Sequence, residues 1–497
     1  MTPLDPQTCY RALQARDRRF DGRIFVGVTS TAIYCRPVCP AGTARFENCR
    51  FFPSAAAAQE AGFRPCLRCR PETAVELGSW RGTSNTVTRA LALIAEGALD
   101  GDDAYVETLA DRLGVGERQL RRLFDQHVGA SPLAVAHTRR VLFAKQLIHE
   151  TRLPMSEVAL AAGFGSVRRF NATFQKLFQR PPSALRRAGE GALRPGYVAD
   201  AGVTVRLRYR PPFDWPAILA FLGSRAINGI ERVAEGRYAR TFVEQGHVGS
   251  IEVEHLPDRD CLGATIRCSS VATLPAIIAR VRRVFDLDAD VTAIGAHLSR
   301  DPLLAPLLAE RPGLRAPGGW DGFELGVRAI LGQQVTVEAG RRLAGQLVAL
   351  CAPAMPKRIA GDAALTHGFP TPAQVVAADL SKMKMTRARQ HALLSLAKAV
   401  LANPRLFQPL ESIEATVAQL RAIHGIGDWT AHYIALRSSR EPDAFPATDV
   451  ALLRSVAKRA SRVDANQLLT RAERWRPWRA YAAQHLWAAD AAHRAMP

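Results

Sequence analysis

The 497-residue chain has no uninterrupted apolar run near the ~18 residues that a membrane helix needs, and Met1–Tyr10 contains no apolar export core. Neither a membrane protein nor an exported one is expected; the expectation is cytoplasmic, with no membrane partner. There is no repeat of solenoid period and no low-complexity tail. Acidic residues are in short supply: 46 Asp and Glu face 66 Lys and Arg, leaving a net charge of +20. Basic side chains displace counterions from phosphate, so the surplus points to a polyanion partner, although an Arg-heavy composition alone would also produce it. The length is too great for one core and suits roughly three or four domains.

Six of the nine cysteines fall within the first 70 residues, and Cys261, Cys268 and Cys351 are scattered. Close pairs in an intracellular chain suggest metal rather than disulfides. Cys35-x-x-x-Cys39 and Cys66-x-x-Cys69 have the spacing with which two loops supply a tetrahedral Zn2+ site, and Cys9 and Cys49 read as ordinary thiols. Such a site can simply staple a small domain, or it can present a thiolate nucleophile that zinc keeps deprotonated at neutral pH. Spacing does not select one sulfur from the four.

Two helical hairpins follow. Val106–Val115 leads through a Gly-centred turn into Glu117–Phe124, with Leu109, Ala110, Leu113, Leu120, Leu123 and Phe124 as the apolar stripe. Met155–Ser166 leads into Val167–Phe178, and a long helix from about 132 to 151 joins the copies. Arg118, Gln119, Arg122, Arg168, Arg169 and Asn171 are the candidate groove contacts, because Arg can read guanine and Asn adenine. A Gly/Pro-containing linker, 188–196, precedes a mixed stretch. There Val203–Tyr209 and Ser250–His255 alternate as strands, and Trp215–Glu231 reads as a helix. The remainder is helical and holds Gly425-Ile-Gly427, whose backbone N–H groups at a helix N-terminus could hold a phosphate together with Thr430. Asp449 lies some 20 residues downstream in a short loop, where an Asp is equally suited to capping a helix.

Three resemblances sharpen these readings. Thr31–Cys39, Glu47-Asn48 and Ala61–Pro71 resemble the N-terminal domain of Ada-type adaptive-response proteins. The resemblance implies that Cys35, the first cysteine of the first pair, accepts methyl from DNA methyl phosphotriesters; because methylation removes one negative charge from a four-thiolate site that repels phosphate, stronger DNA binding is expected to follow. The hairpin pair resembles the AraC-type DNA-binding domain, with Gln179 standing where that family usually has Gly. Residues 203–497 resemble the 3-methyladenine DNA glycosylase II family, through Tyr209–Trp215, Arg237–Arg240, Phe285–Leu287, Arg311–Arg315, Phe323–Gln333, Gly427–Ala431 and Ala472–Arg479. This implies a catalytic Asp449, a base pocket of Phe221, Trp429, Tyr433 and Trp487, a wedge at Gln334 that fills the gap left by a flipped base, and no cofactor for that half. His424 replaces a common Pro before the hairpin. Trp429 stands where related lyases carry the Lys of a Schiff base, so an enzyme that leaves an abasic site without nicking is expected. The chain lacks a Pro-Cys-His-Arg motif, so the resemblance does not extend to an alkylguanine transferase.

The expected fold is α+β multidomain: a small zinc domain over 1–80, an all-α double helix-turn-helix domain over 85–188, an antiparallel α/β subdomain over 197–292 and a helix-hairpin-helix lobe over 293–497. The expected partners are damaged and promoter double-stranded DNA, with RNA polymerase, and a monomer is the expected state. The alternative is a transcription regulator whose glycosylase-like half is an inactive sensing domain.

Overall fold

The computed structural model describes residues 5–74, 85–101, 105–186, 202–356, 361–408, 410, 412–457 and 463–495; the stretch 188–196 read as a linker lies outside them. The chain divides into two compact units, 1–208 with 263–279, and 209–262 with 280–497. Both are mixed α and β, and none of the described helices is long and apolar enough to cross a membrane.

The first unit opens with a four-stranded sheet in the order β3-β1-β2-β4, formed by β1 (Phe25–Val28), β2 (Ile33–Cys35), β3 (Cys49–Phe52) and β4 (Arg64–Pro65). Phe25, Tyr34, Phe52, Phe63 and the Ala56–Ala58 face of a short helix fill its core. After α1 (Pro6–Gln14), α2 (Ala55–Glu60, the short helix of that core) and α3 (Asn85–Ala95) come two helical hairpins: α4 (Val106–Leu113) with α5 (Glu117–Val128), then α7 (Met155–Ala161) with α8 (Val167–Phe178). The 19-residue α6 (Pro132–Glu150) joins them, started by Ser131, whose hydroxyl accepts from Ala134 N at 3.2 Å. At the end of α8, Gln179 takes the left-handed conformation (φ 55°) that Gly adopts without strain, so the missing Gly leaves the helix end in place.

Lys145 of α6 is fully buried and donates to Cys66 O at 2.8 Å and to Glu72 Oε2 at 2.7 Å. Arg70 bridges Glu72 (3.0 Å) and Glu150 (3.1 Å). A buried ammonium survives only when paired, so this network fixes the loop of the second cysteine pair on α6.

β5 (Val203–Arg208) and β9 (Cys261–Cys268) from Gly263 onward belong to the first unit, and the second unit holds a sheet of its own. Its strands β6 (Glu231–Ala234), β7 (Arg237–Glu244) and β8 (His247–Leu256) are antiparallel neighbours. The helix expected over Trp215–Glu231 stops at Arg225, because Gly229 turns the chain with φ +83° and Glu231 already belongs to β6. The rest of the second unit is helical. One apolar cluster runs through the helices Gly322–Leu331, Val337–Cys351, Arg387–Ala402 and Asp428–Arg437.

Beneath this cluster Glu324 is buried between Arg240 (2.7 Å) and Arg328 (2.6 Å), with Glu231 completing the charge balance at 3.6 Å from Arg240. Burial raises the Glu324 carboxyl, but the two guanidinium groups outweigh it and hold it down to about 2, against an ordinary 4.5. Folded below unfolded means that this stabilisation is complete above pH ~4.5 and drains away as pH falls towards 2. Glu324→Gln is expected to cost about 3–5 kcal/mol in urea unfolding of the second unit at pH 7, since it leaves buried cations short of a partner. The loss of wild-type stability between pH 5 and 3 should shrink in the variant, to roughly the extent of this one carboxylate.

Candidate functional site

Strand pairing assembles the thiolate cluster. The parallel register Ile33↔Arg64 and Tyr34↔Pro65 brings Cys35 and Cys66 out of adjacent strand ends, and short loops return Cys39 and Cys69. All four sulfurs lie within 4.8 Å of one another, as one four-coordinate Zn2+ requires. Cys39, Cys66 and Cys69 are buried and Cys35 is half-buried. Arg36 N donates to Cys69 Sγ at 3.4 Å and Arg68 N to Cys66 Sγ at 3.3 Å, so these two sulfurs are covered and partly neutralised by backbone N–H groups. Backbone N–H donors aimed at sulfur suit a thiolate set holding a cation, and the residues fit the metal.

In the second unit, Asp449 sits just ahead of the helix Val450–Ala457 and does two things at once. Its Oδ1 accepts from Ala451 N (2.9 Å) and Leu452 N (3.0 Å), which is a helix cap. The same oxygen accepts from Trp487 Nε1 at 3.0 Å, and Oδ2 accepts from Trp429 Nε1 at 2.6 Å. Four N–H donors therefore hold the carboxylate in one orientation beside two indoles. Trp429 stacks on Tyr433 with ring centroids 5.2 Å apart at 14°, and Tyr433 meets Trp487 edge-on at 6.4 Å. The ring of Phe221 lies under Arg437, whose Cζ is 4.5 Å from its centroid and 5.3 Å from the centroids of both Tyr433 and Trp487. All four aromatic residues singled out in the sequence thus surround one place, and each is half-buried.

The turn between the helices Ile413–Arg421 and Asp428–Arg437 exposes Gly425 and Gly427. Gly425 has φ +87°, and a Cβ there would lie 2.3 Å from Ala392 Cβ, so only Gly fits. A Cβ on Gly427 would meet nothing, which leaves open space before the free N–H groups of the following helix. The Thr430 side chain is buried and its hydroxyl accepts from Gln333 Nε2 at 3.1 Å, which leaves its backbone N–H as the donor it can offer a phosphate. Gln334 is exposed with φ +54°, between Gly332 and the exposed Val335. Beside it, Gln333 Nε2 also donates to Gly425 O at 2.9 Å, and Arg389 donates to Gln333 O at 2.6 Å. In the first unit Arg118, Gln119 and Arg122 are exposed on α5, and Arg168, Arg169 and Asn171 on α8.

Three family models match: the metal binding domain of Ada over residues 8–72, a helix-turn-helix domain over 109–188, and the AlkA N-terminal domain over 204–321. A probable bifunctional transcriptional activator/DNA repair enzyme AlkA of Mycobacterium tuberculosis is 39% identical over 487 residues, which is 97% of this chain and 96% of that protein. The chain belongs to this bifunctional family. DNA-3-methyladenine glycosylase 2 of Escherichia coli is 34% identical over 289 residues, 56% of this chain and 95% of that enzyme. The Ada protein of Escherichia coli, a bifunctional transcriptional activator/DNA repair enzyme, is 35% identical over 133 residues, 27% of this chain and 36% of its own. Among solved structures, a 3-methyladenine DNA-glycosylase from Archaeoglobus fulgidus shares the fold at 19% identity, with a TM-score of 0.50 over 59% of this chain and 99% of that one.

Three residues of this family member's site went unread in the sequence. Arg225 follows Phe221 by four residues, Arg437 follows Tyr433 by four, and Gln333 directly precedes the exposed Gln334. The interval of four places each Arg on the helix face of its aromatic partner, and that was the available signal.

Proposed function

We propose that this family member both repairs alkylated DNA and reports it. The second unit hydrolyses the N-glycosidic bond of alkylated purines of the 3-methyladenine class. The first transfers methyl from DNA methyl phosphotriesters to Cys35 and binds promoter DNA through α5 and α8, using Arg118, Gln119, Arg122, Arg168, Arg169 and Asn171. The working boundaries are 1–80, 85–188, 197–292 and 293–497. The protein acts as a cytoplasmic monomer, with RNA polymerase as its partner at promoters.

The observation that carries the reading is Asp449, held by the indole N–H groups of Trp429 and Trp487 at a pocket that Tyr433 and Phe221 complete. N-alkylation makes a purine electron-poor and a good leaving group. The nucleotide rotates out of the duplex, Gln334 fills its place, and the N–H groups after Gly425 and Gly427 grip a phosphate. As the C–N bond breaks, positive charge builds on the sugar, and the Asp449 carboxylate stabilises it and orients water. Trp429 offers no amine for a Schiff base, so the product is an abasic site in an intact strand.

At the other site, zinc when bound keeps the four sulfurs deprotonated. Cys35 Sγ, the half-buried sulfur of the four, attacks the methyl carbon; the C–O bond breaks and a phosphodiester anion leaves. The thioether is not readily released, so Cys35 turns over once.

Incubation with methylated duplex DNA tests both activities. Free 3-methyladenine should appear without strand breaks, and the peptide bearing Cys35 should gain the mass of one methylene. Release of no base by folded, zinc-loaded protein would instead support a regulator with an inactive sensing domain.

A further inference from the structure

The base pocket is ringed by aromatic faces, and two of its close neighbours are cations. Arg437 is almost fully buried, and its Cζ lies 4.5 Å from the Phe221 centroid and 5.3 Å from those of Tyr433 and Trp487. Arg225 lies over Phe221 as well, at 4.0 Å. Their hydrogen-bond acceptors are neutral and include the Tyr433 hydroxyl, which burial raises but which the two guanidinium groups together hold below its ordinary pKa. Arg437 donates to Pro317 O (2.6 Å) and Gln484 Oε1 (3.0 Å), and Arg225 donates to Phe221 O (3.3 Å) and Ser224 Oγ (2.9 Å). Arg437 Nε is buried without a partner. Burial lowers the Arg437 guanidinium to about 10, which leaves it charged at neutral pH.

An aromatic ring attracts a cation through its electron-rich face. Three of the four rings here already spend that attraction on Arg437. A positively charged base set against them gains less, and it meets an unneutralised like charge where water is scarce. The counterweights are Trp429 and the Asp449 carboxylate. A neutral base escapes the repulsion, and a ring carbonyl could serve the unpartnered Nε–H.

We propose that Arg437 is a specificity-determining residue that biases the pocket against positive charge, so that neutral, carbonyl-bearing bases compete with cationic alkylpurines for excision. The proposal rests on the glycosylase reading of this pocket. Arg225, half-buried on the same ring, acts in the same direction with a smaller effect.

Two duplexes of one sequence provide the test, one carrying 7-methylguanine (cationic in the nucleotide) and one carrying hypoxanthine (neutral), each opposite cytosine. Single-turnover excision is measured for the wild type, Arg437→Met, Arg437→Lys and Arg225→Met. The ratio of 7-methylguanine to hypoxanthine release should rise about tenfold in Arg437→Met, the size of one desolvated cation–π contact, and stay near the wild-type value in Arg437→Lys. Arg225→Met should raise it less. An unchanged or reduced ratio in folded Arg437→Met overturns the proposal. If that variant does not fold, an unchanged ratio in Arg225→Met does so. Quenching of pocket tryptophan fluorescence by 7-methyl-2′-deoxyguanosine and by 2′-deoxyinosine separates the two readings. Should the wild type release neither base, the glycosylase reading fails on its own, and the shift in relative nucleoside affinity between wild type and Arg437→Met still upholds or overturns the charge bias.

Discussion

Asp449→Asn is expected to lower single-turnover base release from methylated duplex DNA by roughly 10²- to 10³-fold, the loss seen when one preorganised electrostatic partner of a transition state is removed. The substitution is nearly isosteric and keeps the cap, because an Asn oxygen can still accept from Ala451 N and Leu452 N. What it cannot keep is both indole bonds. Trp429 and Trp487 each donate to a different carboxylate oxygen, and an amide has only one oxygen. One N–H must face the new NH2 group, at a cost of about 1–3 kcal/mol in stability. The folded fraction should therefore remain high while the chemistry fails. Duplex binding, measured separately by fluorescence anisotropy, should change far less than excision. Release from the folded variant within about twofold of wild type would remove Asp449 from the transition state, because twofold is well under 1 kcal/mol.

Removal of zinc, by a chelator or by Cys69→Ala, is expected to unfold the segment around the cysteine cluster while leaving base release intact. Strands of four, three, four and two residues enclose a core of a few aromatic and alanine side chains, which is little to set against chain entropy. Structural zinc contributes about 10–16 kcal/mol in isolated finger peptides, more than such a sheet holds on its own. The loss should also reach α6. Lys145 would be left with its ammonium buried and Cys66 O and Glu72 gone from reach, a penalty of about 3–5 kcal/mol that disfavours the native helix packing. Operator binding should therefore disappear with the metal. Limited proteolysis reads the first effect as cleavage between residues 5 and 74, and excision assays on the same sample read the intact second unit. Retained operator binding by metal-free protein would separate the cluster from the helices.

Much of this was legible in the sequence because it rests on short-range spacing. Paired cysteines, Gly-centred helical turns and Gly-x-Gly ahead of a helix declare themselves within a dozen residues. The reading of Asp449 as a helix cap and its reading as a catalytic carboxylate were rivals in the sequence; the cap is present, and the same carboxylate also accepts from Trp429 Nε1. The strand pairing that brings Cys35 to Cys66 was not legible, since it is a parallel register only two residues long. Lys145 was hidden for another reason. A lysine in a helix is ordinarily solvated, and only the tertiary approach of Glu72, 73 residues earlier, buries it. Arg225 and Arg437 carried a visible interval of four from their aromatic partners, but in so basic a chain that interval does not stand out. Thr430 shows the converse, a residue inside a recognisable motif whose side chain points inward to Gln333.

The bonds from Lys145 to the Cys66 loop and to Glu72 also bear on how modular this protein is. A segment ending near residue 74 looks like a portable cassette, separable from the helices after it. Yet one of its backbone carbonyls and its buried acid are completed by Lys145, in the last two turns of α6, and Arg70 is completed by Glu150, the final residue of that helix. A chimera that grafts this segment onto a foreign helical reader leaves the buried Glu72 with Arg70 as its remaining ion-pair partner unless Lys145 and Glu150 travel with it. The seam along which these parts can be exchanged lies beyond the last residue of α6, not in the chain that leads into the helices.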